Sequence, residues 1–158
     1  MQISQQPKSG GFSQRPTHSG DRPRGNDWRW SEQKAYEEIE KSFGQNGLAE
    51  ILSDQKKDYN EYINKVKSYV KGNAHGITTS QLRNIFSQVK NVSHYEELYT
   101  LRPKLAYVSG RAEKDQTKTL LFLFDALISK VSNASQLEQF KAFFEAVIAY
   151  HKYFGGKE

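Results

Sequence analysis

The sequence predicts an all-α fold: a compact bundle of five main helices, a short helical turn near residues 48–52, and a disordered leader at 1–27. From Trp28 onward, apolar side chains recur every three or four residues, and no segment shows a convincing two-residue alternation. Helix-start residues and glycine stops cut that pattern into pieces of helical length. The leader is rich in Gln, Ser, Gly, Pro and Arg, with Ile3 and Phe12 its only large apolar residues after Met1. Such a segment buries too little surface to offset its ordering entropy. Its arginines either add loose RNA affinity or simply keep it solvated.

Each element has a local reason. Ser31 stands where a cap belongs, and Tyr36, Ile39 and Phe43 follow at helical spacing before Gly44 and Gly47 interrupt. Leu48, Ile51 and Leu52 form the short turn. The next helix, from about Asp54 to Lys71, buries Tyr59, Tyr62, Ile63, Val66 and Val70 and stops at Gly72. Thr78 and Gln81 have capping-box spacing ahead of the apolar face Leu82, Ile85, Phe86 and Val89. Ser93 with Glu96 repeats the device for a helix whose inner face is Tyr95, Leu98, Leu101, Leu105 and Val108 and which Gly110 ends. Pro103 lies inside it, removes an N–H and crowds the Tyr99 carbonyl, so a kink or break belongs near Arg102. The helix from about Asp115 to Val131 is apolar over more than half its circumference and therefore central. Ser135 with Glu138 caps the last helix, which places Leu137, Phe140, Phe143, Phe144, Val147 and Ile148 inside and runs to about Phe154.

Composition narrows the function classes. The absence of cysteine excludes disulfides, thiolate metal sites and thiol nucleophiles, and suits a reducing cytoplasm. No apolar run of about eighteen residues suggests a membrane span, and Met1 does not open a secretory signal. The formal charge is +5, of which residues 1–30 carry +3 (five cations against two carboxylates), leaving +2 for the rest. The distribution of charge must therefore decide the matter. His18, His75, His94 and His151 lack metal-ligand spacing, and His151, near the apolar stripe of the last helix, reads as a partly buried, satisfied imidazole. The carboxylate pairs sit near helix starts or outer faces, where the helix dipole accounts for them. No cofactor, metal or catalytic grouping is expected.

The basic residues say more. Lys104 and Arg111 are seven residues apart and nearly superposed in helical projection, away from the Leu98–Leu105 face, with Thr100 and Tyr107 alongside. Arg83 and Lys90 repeat that spacing on the preceding helix, with Ser87 between them and Thr79 near its start. Each helix thus offers two cations about 15 Å apart or less, a spacing suited to the phosphates of an extended strand. The helix starts at Thr78 and Ser93 offer backbone N–H donors to the same end. The other reading is ordinary solvating charge. It is stronger for Lys56, Lys57, Lys65, Lys67 and Lys71, which alternate with Asp58 and Glu61.

The run Thr78-Thr79-Ser80-Gln81-Leu82-Arg83, followed by Arg102-Pro103-Lys104-Leu105-Ala106-Tyr107 and then Gly110-Arg111, resembles the small α-helical subunit of type III-A CRISPR effector (Csm) complexes. The likeness is specific over residues 77–111, compatible in helix pattern over roughly 31–154, and does not reach the leader. It implies a five-helix domain over 28–158 without catalytic activity, stacked in copies as an inner filament that supports the guide RNA–target RNA duplex. The implied partners are target and guide RNA, the Csm backbone subunits, the large polymerase-like subunit and further copies of itself. Motif positions implied as RNA contacts are Thr79, Arg83, Lys104 and Arg111. Arg102 matches too, but lies near the apolar face and either touches RNA or pairs internally at the Pro103 kink. Lys90 joins the set by geometry. Two other classes stay open. One is a free-standing helical DNA-binding protein using Thr78–Lys90 as a recognition helix, opposed by a Gly72–Gly76 loop longer than the usual turn. The other is an assembly adaptor that touches no RNA.

Overall fold

A computed structural model describes residues 29–158, and over these the chain is helical throughout. The elements are α1 (Glu32–Phe43), α2 (Gly47–Leu52), α3 (Tyr59–Asn73), α4 (Thr79–Lys90), a 3₁₀ helix (Tyr95–Leu101), α5 (Arg102–Arg111), α6 (Asp115–Lys130) and α7 (Ala134–Tyr153). The expected leader lies outside the described residues.

Four of the eight starts fall where a short polar side chain satisfies an otherwise orphaned N–H: Ser31, Asp58, Thr78 and Asn133. The Lys34 N–H donates to Ser31 Oγ at 3.3 Å, and the Gln81 N–H donates to Thr78 Oγ1 at 3.0 Å. The Thr78 N–H donates in turn to Gln81 Oε1 at 2.9 Å, completing the box expected there. Three starts differ from expectation because a rival cap stands nearby. α3 begins at Tyr59 rather than Asp54, since Asp58 accepts from the Glu61 N–H at 3.0 Å. The loop before it is held by Lys56, whose ammonium donates to the carbonyls of Ile51 and Ser53 and to Gln139 Oε1. α7 is capped by Asn133, which accepts from the Gln136 N–H at 2.9 Å, and not by Ser135. The segment after α4 starts at His94, whose N–H donates to Glu97 Oε1 at 3.4 Å, in place of the Ser93–Glu96 pair.

That segment is a stretch of tight helix before it becomes α5. The 3₁₀ helix converts to α-helix at Arg102, and Pro103 occupies the first turn of α5, where its missing N–H costs nothing. The interruption expected near Arg102 is therefore a change of helix type. Gly72 and Gly110 do not stop their helices, which run on to Asn73 and Arg111.

α6 and α7 supply the centre of the core. Leu120, Leu123, Phe124, Leu127, Phe140, Phe144 and Val147 are fully buried. The rings of Phe124 and Phe144 stack at 4.2 Å and 10°, while Phe140 and Phe143 meet Phe124 edge-on at 6.4 and 6.2 Å. Around this pair, α1 and α5 lie against α6, whereas α2, α3 and α4 lie against α7. Trp30, just before α1, donates its indole N–H to Thr119 Oγ1 at 3.2 Å and sets its ring edge-on to Phe122. Two tyrosines expected inside lie largely outside: Tyr36 is 38% exposed, with Ala35 buried in its place, and Tyr59 is 63% exposed. Tyr62 and Tyr69 are core. Phe144→Ala removes the stacked partner of Phe124 and is expected to cost about 3–5 kcal/mol in urea unfolding.

Candidate nucleic-acid interface

α4 and α5 run antiparallel on one side of the bundle. Lys104 Nζ on α5 donates to Gln88 Oε1 on α4 at 2.6 Å, and toward the other end Gln81 and Arg111 line a common cleft. That cleft, about 510 Å³, is walled by Gly76, Tyr107, Arg111, Glu113, Lys114 and Thr117 among others. Arg111 donates to the Tyr107 hydroxyl at 3.0 Å, with its guanidinium 5.6 Å from the Tyr107 ring centre. Lys104 and Arg111 therefore stand at the surface with neutral partners.

Arg83 and Lys90 do not join them. Gln88 marks the α4 edge that meets α5, and both cations stand roughly 140–160° round the axis from it. The expected arrangement of four cations on one side thus becomes two pairs flanking an exposed α4 ridge of Ser80, Asn84 and Ser87. Lys90 is exposed. Arg83 faces Glu158, with Nη1 3.7 Å from the carboxylate.

Two further expected contacts are already engaged within the fold, Thr79 in the interior and Arg102 in an ion pair at the surface. Thr79 is completely buried, and its Oγ1 lies 3.0 Å from His151 Nδ1, so no strand on the surface reaches it. Arg102 is clamped by Asp125 on α6, Nε to Oδ1 at 2.7 Å and Nη2 to Oδ2 at 3.2 Å. This two-pronged pair fixes α5 to α6 and is the internal pairing that its projected angle allowed.

The burial of Thr79 follows from how the chain closes over the start of α4. His151 Nε2 sits 2.8 Å from the Ile77 carbonyl, which can only accept, so Nε2 carries the proton and Nδ1 accepts from the Thr79 hydroxyl. Gly155, at φ 79°, turns the chain back after α7. Gly156 then lies against the imidazole so closely that a Cβ there would fall 2.1 Å from the ring. The Lys157 carbonyl accepts the Thr79 N–H at 2.6 Å. The α4 start is thus capped by the tail and does not offer that N–H to a ligand. Beyond it, Glu158 pairs with Lys152 as well as Arg83.

Lys114 is the residue of this surface that sequence reasoning missed. It precedes α6 in a turn without periodicity, and only the folding of the 112–114 turn beside the Gly76 loop brings it to Arg111. Among the described residues no cluster of three or more His, Asp or Glu could hold a metal ion, and no helix is long and apolar enough to cross a membrane.

The surface is that of a small helical scaffold with a cationic groove. The family model described as Csm2 Type III-A matches residues 53–157, spanning α3 to the tail. The chain belongs to this family, one of structural, non-catalytic subunits, and is a small subunit of the type III-A CRISPR complex. No curated protein and no solved structure matches it.

Two measurements bear on the tail. The hydrogen-bonded Lys152 ammonium, assisted by Arg83, holds the Glu158 carboxyl below the usual glutamate range. The attraction is therefore present above the ordinary carboxylate value and lost as pH falls through the lowered one. An NMR titration of Glu158 should move back toward the ordinary midpoint in Lys152→Met. Gly156→Ala forces a methyl into the His151 ring and is expected to cost about 1–3 kcal/mol, read as a lowered Tm.

Proposed function

We propose that this subunit supports the guide RNA–target RNA duplex of the type III-A ribonucleoprotein, gripping phosphate and sugar while base pairing supplies the sequence. It does so without catalysis, stacking with further copies as an inner filament beside the backbone subunits and near the large polymerase-like subunit. The observation that carries this reading is the state of Lys104 and Arg111. Their hydrogen-bond partners are an amide and a phenol, so a phosphate can replace them without breaking an ion pair. Lys114 adds a third cation at the Arg111 cleft, and Tyr107, 65% exposed, adds a hydroxyl and a ring edge. Lys90, and Arg83 once released from Glu158, form a second, weaker line across the α4 ridge. A small number of phosphates held per copy suffices, because neighbouring copies act on the same strand.

The use of α4 as a DNA recognition helix is disfavoured by the tail that covers its start, the end such helices present to bases. In salt titrations, Lys104→Ala with Arg111→Ala should weaken RNA binding alike for all matched targets. It should also flatten the log–log slope by about 0.7–0.9 for each phosphate that is no longer neutralised. Arg102→Ala should leave the slope as it is. An unchanged slope in the double variant would remove these residues from the interface.

A further inference from the structure

The cationic groove does not end at Arg111. Lys114 lines the Arg111 cleft and also a second cleft of about 400 Å³ on the other side of the Gly76 loop, whose walls include Lys71, His75, Phe154 and Lys157. Gly76, at φ 91°, fits so tightly that a Cβ there would lie 2.8 Å from Lys114 Cδ and 2.9 Å from Thr117 Oγ1. The loop is pressed onto Lys114, which is held between the two clefts. Glu113 is the single carboxylate residue among the described residues lining either.

The second cleft opens onto the paired ends of α3 and α7. Here Lys67 Nζ stands 5.1 Å from the ring centre of Tyr153, and Lys71 Nζ stands 6.0 Å from that of Phe154. Neither ammonium has a carboxylate partner within ion-pair distance among the described residues. Tyr153 is 69% exposed, so a ring approached by Lys67 still offers aromatic surface to solvent. An exposed ring beside two cations, packed edge-on against the cleft-lining Phe154, has the chemistry of single-strand recognition: bases stack on the ring and cations hold the backbone. A duplex keeps its bases stacked on each other and gives such a ring nothing to take.

We propose that the end of the bundle formed by Lys67, Lys71 and Tyr153, joined to the groove through Lys114, is a subsite for unpaired RNA. A base stacks on Tyr153, and the flanking phosphates lie on Lys71 and Lys114. The subsite rests on the reading of Lys104 and Arg111 as duplex contacts, since it continues their track.

The test uses the full chain with 4-thiouridine-substituted oligouridylate and, separately, a fully paired RNA duplex. Irradiation should crosslink the single strand to the peptide bearing Tyr153. Tyr153→Ala should lower single-strand affinity at least about fivefold and leave the duplex untouched, with Tyr153→Phe retaining binding. Lys67→Ala with Lys71→Ala should abolish the crosslink. Circular dichroism melting confirms that each variant folds. Wild-type single-strand binding in Tyr153→Ala, or equal losses for both RNAs, overturns the subsite. If Lys104→Ala with Arg111→Ala weakens the duplex while Tyr153→Ala is silent, the duplex reading survives and the subsite falls. The converse pattern overturns the duplex reading and the track it shares with the subsite. Silence in both removes both. Capture of an acidic protein at Tyr153 with no RNA crosslink also counts against it.

Discussion

The packing of Phe124 against Phe140, Phe143 and Phe144 is the constraint on which the rest depends. α6 and α7 meet through these rings, which hold the two helix backbones apart and fill the space between them. The other helices then divide, α1 and α5 leaning on α6, α2 and α4 on α7. The cationic groove runs between α4 and α5, and so crosses the line between these two groups. Its two walls are thus carried by the two helices that the aromatic rings join. A core packed this densely transmits small changes of volume to its surface.

Within that frame, the availability of each cation is decided by its partner. Arg102 and Arg83 face carboxylates, whereas Lys104 and Arg111 face neutral groups. The two cases differ physically. A two-pronged arginine–aspartate pair between helices orders both side chains, while an exposed ammonium on a glutamine gives up little on exchange. Arg83, Lys104 and Arg111 look alike in the sequence, because spacing reports direction from one helix axis and carries no information on what the next helix presents. Only Arg102 is set apart, by its angle toward the apolar face.

The helices themselves are legible, since apolar recurrence at three and four residues is a direct image of a buried face. Their ends are less so. Where two cap residues compete, as Ser135 with Asn133 or Ser93 with His94, local sequence does not choose, and the geometry of the preceding turn does. Pro103 does mark an interruption, although the result is a junction between two kinds of helix. Tyr36 and Tyr59 match the inward period yet stand at its edge, where a phenol can remain in water. Of the site, Lys104 and Arg111 lie where projection puts them. Thr79 escapes such reasoning because its burial depends on His151 and on the tail, both remote in sequence. Lys114 gives no signal at all, for the reason that nothing periodic points to a turn.

The way the chain folds back after α7 has a practical consequence. Gly155 and Gly156 bring a backbone carbonyl onto the first N–H of α4, so residues 155–157 behave as an internal part of the scaffold. Affinity handles or fluorophores attached at residues 155–157 would pull on the start of α4 and on the imidazole beneath it. Labels for optical or force measurements belong instead on surfaces such as the outer side of α1, where attachment leaves that closure undisturbed.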